Sequence, residues 1–422
     1  MKNGSKVQLR YLNMKNNNIP DIRFPGFTDD WEQRKLSSIC SMHARIGWQN
    51  LRTSEFLDTG EYYLITGTDF DDGKVNLSTC HYVAKERYDQ DKKIQIKIGS
   101  ILITKDGTLG KVALVEELDK PATLNAGVFN VEIVAENIDN KYLFQYLKAP
   151  FLMDYVDRKA TGGTIKHLNQ NILVDFPVWL SDYEEQKRVG LFFQQLDCLI
   201  TLHQNELDVL KKTKKGFLQK MFPKEGEIVP EVRFPGFTDD WEQRKLGDLG
   251  SVEMNRRIFK ENTTDSGEIP FYKIGTFGGK PDAFISRELF EDFKKKYSYP
   301  KIGDILISAS GSIGRTVEYQ GKDEYFQDSN IVWLKHDNRL SNSFLKQFYS
   351  IVKWHGLEGS TIKRLYNKNI LDTKIAIPAR DEQDKIGAFF KQLDDAIVLH
   401  QRELDVLKKT KKAFLQKMFI NS

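Results

Sequence analysis

The chain has 422 residues, and its 63 basic and 59 acidic residues give a net charge of only +4. About 100–200 residues per domain allows two or three domains, and so small a net charge is no argument by itself for a nucleic-acid partner. No stretch contains the ~20 consecutive apolar residues that a membrane-spanning helix needs, so a membrane protein is excluded.

The N-terminal tail, residues 1–22, is polar and rich in asparagine. It lacks the apolar segment of a secretory signal peptide. The three cysteines, Cys40, Cys80 and Cys198, lie far apart without a C-x-x-C spacing, which predicts neither disulfides nor a zinc site. We therefore expect a cytoplasmic protein without a metal.

An internal repeat dominates the sequence. Residues 23–36 (RFPGFTDDWEQRKL) recur unchanged at 233–246, and residues 192–222 match 389–419 at 25 of 31 positions. Identity on this scale indicates a duplication. The predicted organisation is a tail at 1–22, a variable domain at 23–180, a long helix at 181–222, a linker at 223–232, a second variable domain at 233–378 and a second long helix at 379–422.

Inside each variable domain, a short apolar strand runs into a glycine-rich loop. Residues 98–111 (IGSILITKDGTLGK) resemble residues 302–315 (IGDILISASGSIGR). Small residues let a backbone approach a ligand, and hydroxyl and cationic groups suit phosphate oxygens. The alternative is an ordinary β-hairpin with a basic surface residue. The candidate DNA-binding residues of these loops are Lys105, Thr108 and Lys111 in the first copy and Ser310, Ser312 and Arg315 in the second.

A second shared motif, GGTIKHL at 162–168 and GSTIKRL at 359–365, precedes an asparagine-rich helix start. A hydroxyl, a cation and free helix N–H groups together predict a phosphate-binding site. Its candidate residues are Arg158, Lys159, Thr164, Lys166 and His167 in the first copy and Thr361, Lys363 and Arg364 in the second, and the second domain adds Arg256, Arg257, Lys294 and Lys295.

Each long helix carries a continuous apolar stripe. Apolar residues recur at i, i+4 and i+7, which predicts a helix of about 40 residues, ~60 Å long, that packs in a coiled coil. The predicted seam is Val189, Phe193, Leu196, Ile200, His203, Leu207, Leu210 and Phe217 in the first helix and Ile386, Phe390, Leu393, Ile397, His400, Leu404, Leu407 and Phe414 in the second.

Charge predicts the relative direction of the two helices. Both begin with acidic residues and carry a lysine run near their ends, at 211–215 and 408–412. Antiparallel packing places each basic end beside an acidic one, whereas parallel packing opposes lysines. The runs themselves form either a solvated face or a DNA contact. His203 and His400, near the middle of the stripes, are either a pH-sensitive or metal-binding pair or polar seam residues that fix the register.

Motifs for catalysis are missing from the sequence. It contains no G-x-G-x-x-G, no P-loop and no Pro-Pro dipeptide, so dinucleotide, nucleotide and amino-methyltransferase signatures are absent. Asp282 and Lys294 loosely fit a metal-nuclease pattern, but the first copy lacks it. We expect a non-catalytic chain that binds no cofactor.

Taken in order and doubled, these motifs resemble the specificity subunit of type I restriction-modification systems over nearly the whole chain. The motifs that carry the resemblance are WEQRKL at 31–36 and 241–246, GSILIT and GDILIS, the TIK loops, EQKRV and EQDKI at 185–189 and 382–386, and the LKKTKK ends of both helices. One departure is PVWL at 177–180, where the second copy has KIAI followed by proline.

The resemblance implies an α+β fold with two mixed α/β target-recognition domains joined by an antiparallel coiled coil. It implies that each domain reads half of a split DNA site. It also implies that two modification subunits dock on the shared frames, which are the repeated segments 23–36 and 233–246 with the two long helices, and that restriction subunits join them. S-adenosylmethionine, ATP and magnesium would then belong to these partners, which methylate adenine at N6 or cut DNA. The rival classes are a protein scaffold without a DNA role and, further off, a nuclease acting through Asp282 and Lys294.

Overall fold

The computed structural model describes residues 10–11, 18–159, 168–355 and 363–420. Two compact units make up the chain: unit one comprises Met1–His203 with Glu403–Ser422, and unit two comprises Gln204–Arg402. Each unit therefore holds one copy of the repeated segment at 23–36 or 233–246, which we call the anchor, together with one variable domain and a segment of both long helices. The two units are described separately below.

Short strands make up most of the variable domain of unit one. The strands are β1 Arg10–Tyr11, β2 Ile22–Arg23, β3 Glu32–Lys35, β4 Cys40–His43, β5 Tyr62–Ile65, β6 Phe70–Asp71, β7 Lys74–Val75, β8 His81–Val83, β9 Gln95–Ile96, β10 Ile101–Thr104, β11 Val112–Leu114, β12 Ala122–Leu124, β13 Val128–Ile133 and β14 Pro177–Leu180. The helices are α1 Leu36–Ile39, α2 Lys85–Asp89, α3 Asn140–Lys148, α4 Phe151–Lys159, α5 Gln170–Val174 and α6 Tyr183–Lys220.

A six-stranded sheet in the order β4-β13-β10-β11-β7-β6 organises unit one, beside a four-stranded sheet in the order β8-β5-β12-β9. Every residue of β10 is buried, which explains why this strand is an unbroken apolar run in the sequence. In the register, Leu102 lies opposite Asn130, and Asn130 lies opposite His43. The anchor strand β3 pairs with β14, the strand in which the two copies differ.

Unit two repeats the central part of this design. Its elements are β15 Glu242–Lys245, β16 Gly250–Met254, β17 Ile269–Tyr272, β18 Phe284–Ile285, α7 Arg287–Lys296, β19 Ile305–Ser308, β20 Thr316–Glu318, β21 Tyr325–Phe326, β22 Ile331–His336, α8 Asn342–Ile351, α9 Asn367–Leu371, β23 Lys374–Ile377 and α10 Arg380–Met418. The sheets run β16-β22-β19-β20, β18-β17-β21 and β15-β23. The first matches β4-β13-β10-β11 of unit one strand for strand, since Leu306 lies opposite Trp333 and Trp333 opposite Glu253.

In unit one, the start of α6 packs against the end of α10. The rings of Phe193 and Phe419 stack with centroids 5.5 Å apart, and the ammonium group of Lys411 pairs with the carboxylate of Asp197. As residue numbers rise along α6 they fall along α10, so these segments run in opposite directions. This is the direction that the charge pattern predicts.

The same direction is found in unit two, from its own contacts. Lys214 Nζ lies 2.6 Å from Asp394 Oδ1, and the rings of Phe217 and Phe389 pack edge to face at 5.1 Å. Supercoiling of the two helices stays a prediction. None of the described helices has both the length and the apolar character of a membrane span.

The residues of the predicted seam are buried or half-buried in both helices. Val189, Phe193, Ile386 and Phe390 are at 0–2% exposure, and all four pack into the core of their own variable domain. The seam is therefore continuous with the domain cores. This continuity lets short recognition sheets fold against a long, regular helix.

Buried charge fixes the anchor to the helix start in each unit. In unit one, Arg23 donates two hydrogen bonds of 2.7 and 2.8 Å to the carboxylate of Glu185, which also accepts from Trp31 Nε1 at 3.1 Å. In unit two, Arg233 makes the same two contacts with Glu382. The arginine shared by the two anchors thus has the same structural role in both units, because it forms one buried ion pair with a sequence-distant glutamate.

The glutamine that follows each glutamate ties the start of the long helix to the residue just before α3 in unit one or α8 in unit two. Gln186 accepts a hydrogen bond from the backbone N–H of Asp139 and donates to the carbonyl of Ser181. Gln383 does the same for Ser341 and Pro378. The repeated Glu-Gln pair at the start of each long helix therefore joins that helix to its variable domain.

Candidate nucleic-acid interface

One edge of the main sheet collects loops from four neighbouring strands in each unit. Antiparallel register brings the ends of β4 and β10 and the starts of β13 and β11 to the same edge of unit one. We call residues 44–46, 105–111 and 125–127 the loop edge of unit one. Residues 255–257, 309–315 and 327–330 form the equivalent loop edge of unit two.

A buried hydroxyl holds the glycine-rich loop of unit one. Thr104 Oγ1 donates to the carbonyl of Thr108 and accepts from the backbone N–H of Lys111 at 2.9 Å, while its residue is fully buried. Gly107 and Gly110 have φ of +74° and +71°, a backbone region that favours glycine. The loop is therefore a built turn with a fixed shape.

Unit two contains the same turn. Ser308 Oγ donates to the carbonyl of Ser312 and accepts from the backbone N–H of Arg315 at 2.9 Å. Gly311 and Gly314 have φ of +64° and +84°. We call this arrangement the hydroxyl latch. Thr104 and Ser308 were not among the predicted site residues, although an aligned hydroxyl at the end of each apolar strand was visible in the repeat.

The two shared motifs of the sequence meet at the loop edge. The backbone N–H of Leu168 donates to the carbonyl of Lys105 at 2.8 Å, and Leu365 donates to Ala309 at 2.8 Å. Leu168 and Leu365 are the last residues of the TIK motifs. Of the predicted residues, Thr164, Lys166, His167 and Thr361 lie outside the described residues.

In unit one, the remaining candidates belong to the glycine-rich loop or to the end of α4. Lys105 Nζ lies over the Phe129 ring at 5.5 Å, and Thr108 and Lys111 are exposed. Arg158 and Lys159 are exposed at the last turn of α4. This helix packs on the loop, since a Cβ at Gly110 would collide with the sulfur of Met153.

In unit two, the serines of the loop differ in their surroundings. Ser310 is buried and donates to Asn330 Oδ1 at 2.7 Å, whereas Ser312 is exposed. The guanidinium of Arg315 donates to the carbonyl of Phe277 at 2.8 Å. Lys363 and Arg364 are exposed, and Arg364 forms an isolated β-bridge with Ser310, so these candidates are brought together.

The other basic candidates of unit two divide into free and engaged side chains. Arg256 is exposed on the loop edge with its guanidinium over the Tyr297 ring at 5.4 Å. Arg257 pairs with Asp328 at 3.1 Å. Lys294 pairs with Asp323 and lies over the rings of Phe290 and Tyr299, while Lys295 is exposed on α7.

The charged groups of the loose nuclease pattern all take part in ion pairs. Asp282 pairs with Lys273 at 2.8 Å, whereas Lys294 pairs with Asp323 at 3.5 Å. The neighbouring Asp292 pairs with Lys296. Each group of that pattern is thus engaged with a partner outside it.

A buried arginine supports the loop edge of unit one, and no sequence pattern predicted it. Arg45 is 1% exposed and donates to the carbonyls of Leu124 and Gln49 at 2.9 and 3.3 Å and to Thr123 Oγ1 at 3.2 Å. Burial and the charge of Arg87 lower the pKa of Arg45. All these acceptors are neutral, whereas Asp91 and Glu55 favour the charged form of the guanidinium through their charge.

The two seam histidines each face a glutamate of the opposite helix. His203 Nδ1 lies 3.5 Å from Glu403 Oε2 in unit one, and His400 Nδ1 lies 3.3 Å from Glu206 Oε2 in unit two. Both histidines are about a quarter exposed. Both interpretations, polar seam residues that fix the register and a pH-sensitive or metal-binding pair, stay predictions.

Comparisons with known proteins agree with the repeat. The family described as "Type I restriction modification DNA specificity domain" matches twice, at residues 28–212 and 238–409. Over 151 residues, 36% of this chain, the sequence is 58% identical to a putative type I restriction enzyme specificity subunit of Haemophilus influenzae, and the match spans 39% of that protein.

A second relative matches along the whole chain. The putative type I restriction enzyme MjaX specificity subunit of Methanocaldococcus jannaschii is 24% identical over 95% of both chains. The crystal structure of a type I restriction-modification S subunit from M. genitalium superimposes with a TM-score of 0.64 at 15% identity and covers 95% of this chain and 99% of that one. The latter likeness concerns the fold.

Proposed function

We propose that this chain is the specificity subunit that binds a two-part DNA site, one half in each unit. The chain belongs to the type I restriction modification DNA specificity family. The observation that carries the proposal is the loop edge, which is built twice with the same hydroxyl latch. The glycine-rich loop ends in a cationic residue in both units, Lys111 in unit one and Arg315 in unit two. A duplicated reader suits a target of two half-sites.

Within each loop edge, shared and differing side chains have different roles. Lys111 and Arg315 contact phosphate oxygens, because backbone contacts carry no sequence information and can be the same in both units. Residues that differ between the units read base edges, since the two half-sites differ. Arg158 and Lys159 at the end of α4, and Lys363 and Arg364 beside the second loop, extend the phosphate-binding surface.

Catalysis belongs to partners of this chain in our proposal. Two modification subunits bind the shared frames and methylate adenine at N6 with S-adenosylmethionine, and restriction subunits add ATP- and magnesium-dependent cleavage. The support is the sequence, which contains none of the nucleotide-binding or amino-methyltransferase motifs.

Selection from duplex DNA randomised over about 30 base pairs tests the proposal. The full chain, alone and with a modification subunit, should enrich two separated blocks of fixed base pairs, as expected for half-sites about one helical turn apart. If neither condition enriches any sequence, the proposal is contradicted, and a protein scaffold without a DNA role becomes the better account.

Matched lysine and arginine variants test the role of the loop edge. Lys111→Ala and Arg315→Ala should weaken binding at every sequence alike and lower the salt dependence, because a protein that neutralises one phosphate fewer releases about one counterion fewer on binding. Lys97 and Lys301, at the opposite ends of β10 and β19, are the controls. Equal losses of affinity in Lys97→Ala or Lys301→Ala would show that the loop edge is not the contact surface.

A further inference from the structure

One position of the loop edge is presented alike in the two units but carries unlike side chains. The strand register makes His43 equivalent to Glu253, because they face Asn130 and Trp333, which in turn face Leu102 and Leu306. Three residues further along, Ile46 is therefore equivalent to Arg256. In both units the preceding residue, Arg45 or Asn255, is buried to within 2%.

In unit one, the backbone of Ile46 is held while its side chain is left in solvent. Its carbonyl accepts from the N–H of Gln49 at 2.8 Å, and its own N–H donates to Gln49 Oε1 at 3.4 Å. Arg45, the residue before Ile46, is itself held by hydrogen bonds to Leu124 and Thr123. Ile46 is nevertheless 50% exposed, so a held apolar group projects from the loop edge into solvent.

In unit two, Arg256 is also held without being engaged in an ion pair. The hydroxyl of Tyr325 donates to its carbonyl at 3.0 Å, and its guanidinium lies over the Tyr297 ring. Among the described residues it has no acidic partner, whereas its neighbour Arg257 is bound to Asp328. The fork of N–H donors is therefore preorganised and available.

We infer that this position reads one base pair in each half-site, with Arg256 contacting a guanine and Ile46 the methyl group of a thymine. The inference rests on the proposed function. Arginine pairs with the O6 and N7 atoms of guanine through two hydrogen bonds, and apolar side chains contact the thymine methyl in the major groove. A phosphate-binding role does not explain the position, because isoleucine cannot bind a phosphate and the shared cations already occupy that role.

The test is the same randomised selection, read position by position for the full chain with a modification subunit. Arg256→Lys should keep overall affinity but reduce the preference for guanine at one position about 10- to 100-fold, because a lysine lacks the planar fork. Ile46→Ala should reduce a thymine preference about 5-fold in the other half-site. Lys301→Ala, at the opposite end of β19 from the loop edge, is the control and should leave every base preference unchanged.

Each outcome bears on one claim. A uniform loss of affinity in Arg256→Lys or Arg256→Ala, with base preferences intact, makes Arg256 a phosphate contact and overturns the inference. A wild-type chain that enriches no sequence contradicts the proposed function itself. Unchanged thermal unfolding of the variants excludes misfolding as the cause.

Discussion

The ion pair between Arg23 and Glu185 joins the anchor to the long helix at the level of single residues in unit one. Both side chains are at most 2% exposed, and the carboxylate accepts three hydrogen bonds from Arg23 and Trp31. A buried charge without its partner is strongly unfavourable, whereas removal of both charges is much less so.

Glu185→Ala should therefore destabilise the protein by about 3–5 kcal/mol, measured by urea unfolding. The double variant Arg23→Met with Glu185→Leu should lose far less stability, since no charge stays unpaired. Equal stabilities of the single and double variants would show that the pair is not coupled.

The hydroxyl latch makes a second prediction for single residues. Thr104→Val keeps the side-chain shape but leaves the N–H of Lys111 without its acceptor, at a cost of about 1–3 kcal/mol. DNA contacts of half-site one should weaken in footprinting, and Ser308→Ala should weaken those of half-site two. The two variants are controls for each other, and weaker contacts in both half-sites from either variant contradict the assignment of one edge to one half-site.

At the level of elements, the helix pair is specified by apolar seam residues and by charge. Lys214 and Asp394 are 21% and 27% exposed, so their attraction is only partly screened. Lys214→Asp and Asp394→Lys should each destabilise unit two, and the charge-swapped double variant should recover about 1 kcal/mol in a double-mutant cycle. Additive losses of stability would mean that the pair does not specify the helix direction.

The equivalent lysine of unit one is far more buried and predicts a pH effect. Lys411 is 7% exposed, and burial together with Lys148 lowers its pKa below the ordinary 10.5. Between the lowered pKa and 10.5 the unfolded chain binds more protons at this lysine, so stability rises with pH in that window. Lys411→Met should remove this rise in urea titrations at alkaline pH, whereas an identical slope in the variant contradicts it.

For the molecule as a whole, the proposed function predicts that the two long helices set the distance between the two DNA half-sites. Insertion of one heptad at matched points of α6 and α10 adds about 10 Å of helix, the length of about three base pairs. Mapping of methylated adenines should then show a longer spacer between unchanged half-sites. Changed half-site sequences would contradict the role of the helices as the spacing element.

The duplication, the two long helices and the glycine-rich loops are all evident from the order of residues alone. Heptad periodicity, exact repeats and glycines in turns are local signals, which can be recognised without knowledge of the fold. The opposite direction of the helix segments followed as well, because charge runs at both ends of each helix allow one favourable pairing.

Which side chains are available to a ligand depends instead on the tertiary structure. Lys294 and Arg257 look like free cations in the sequence, but distant carboxylates engage them. The buried positions of Thr104 and Arg45 likewise depend on strands far apart in the chain. Contacts between sequence-distant residues arise when antiparallel strands bring their ends to one edge, and neither composition nor periodicity encodes that meeting in a readable form.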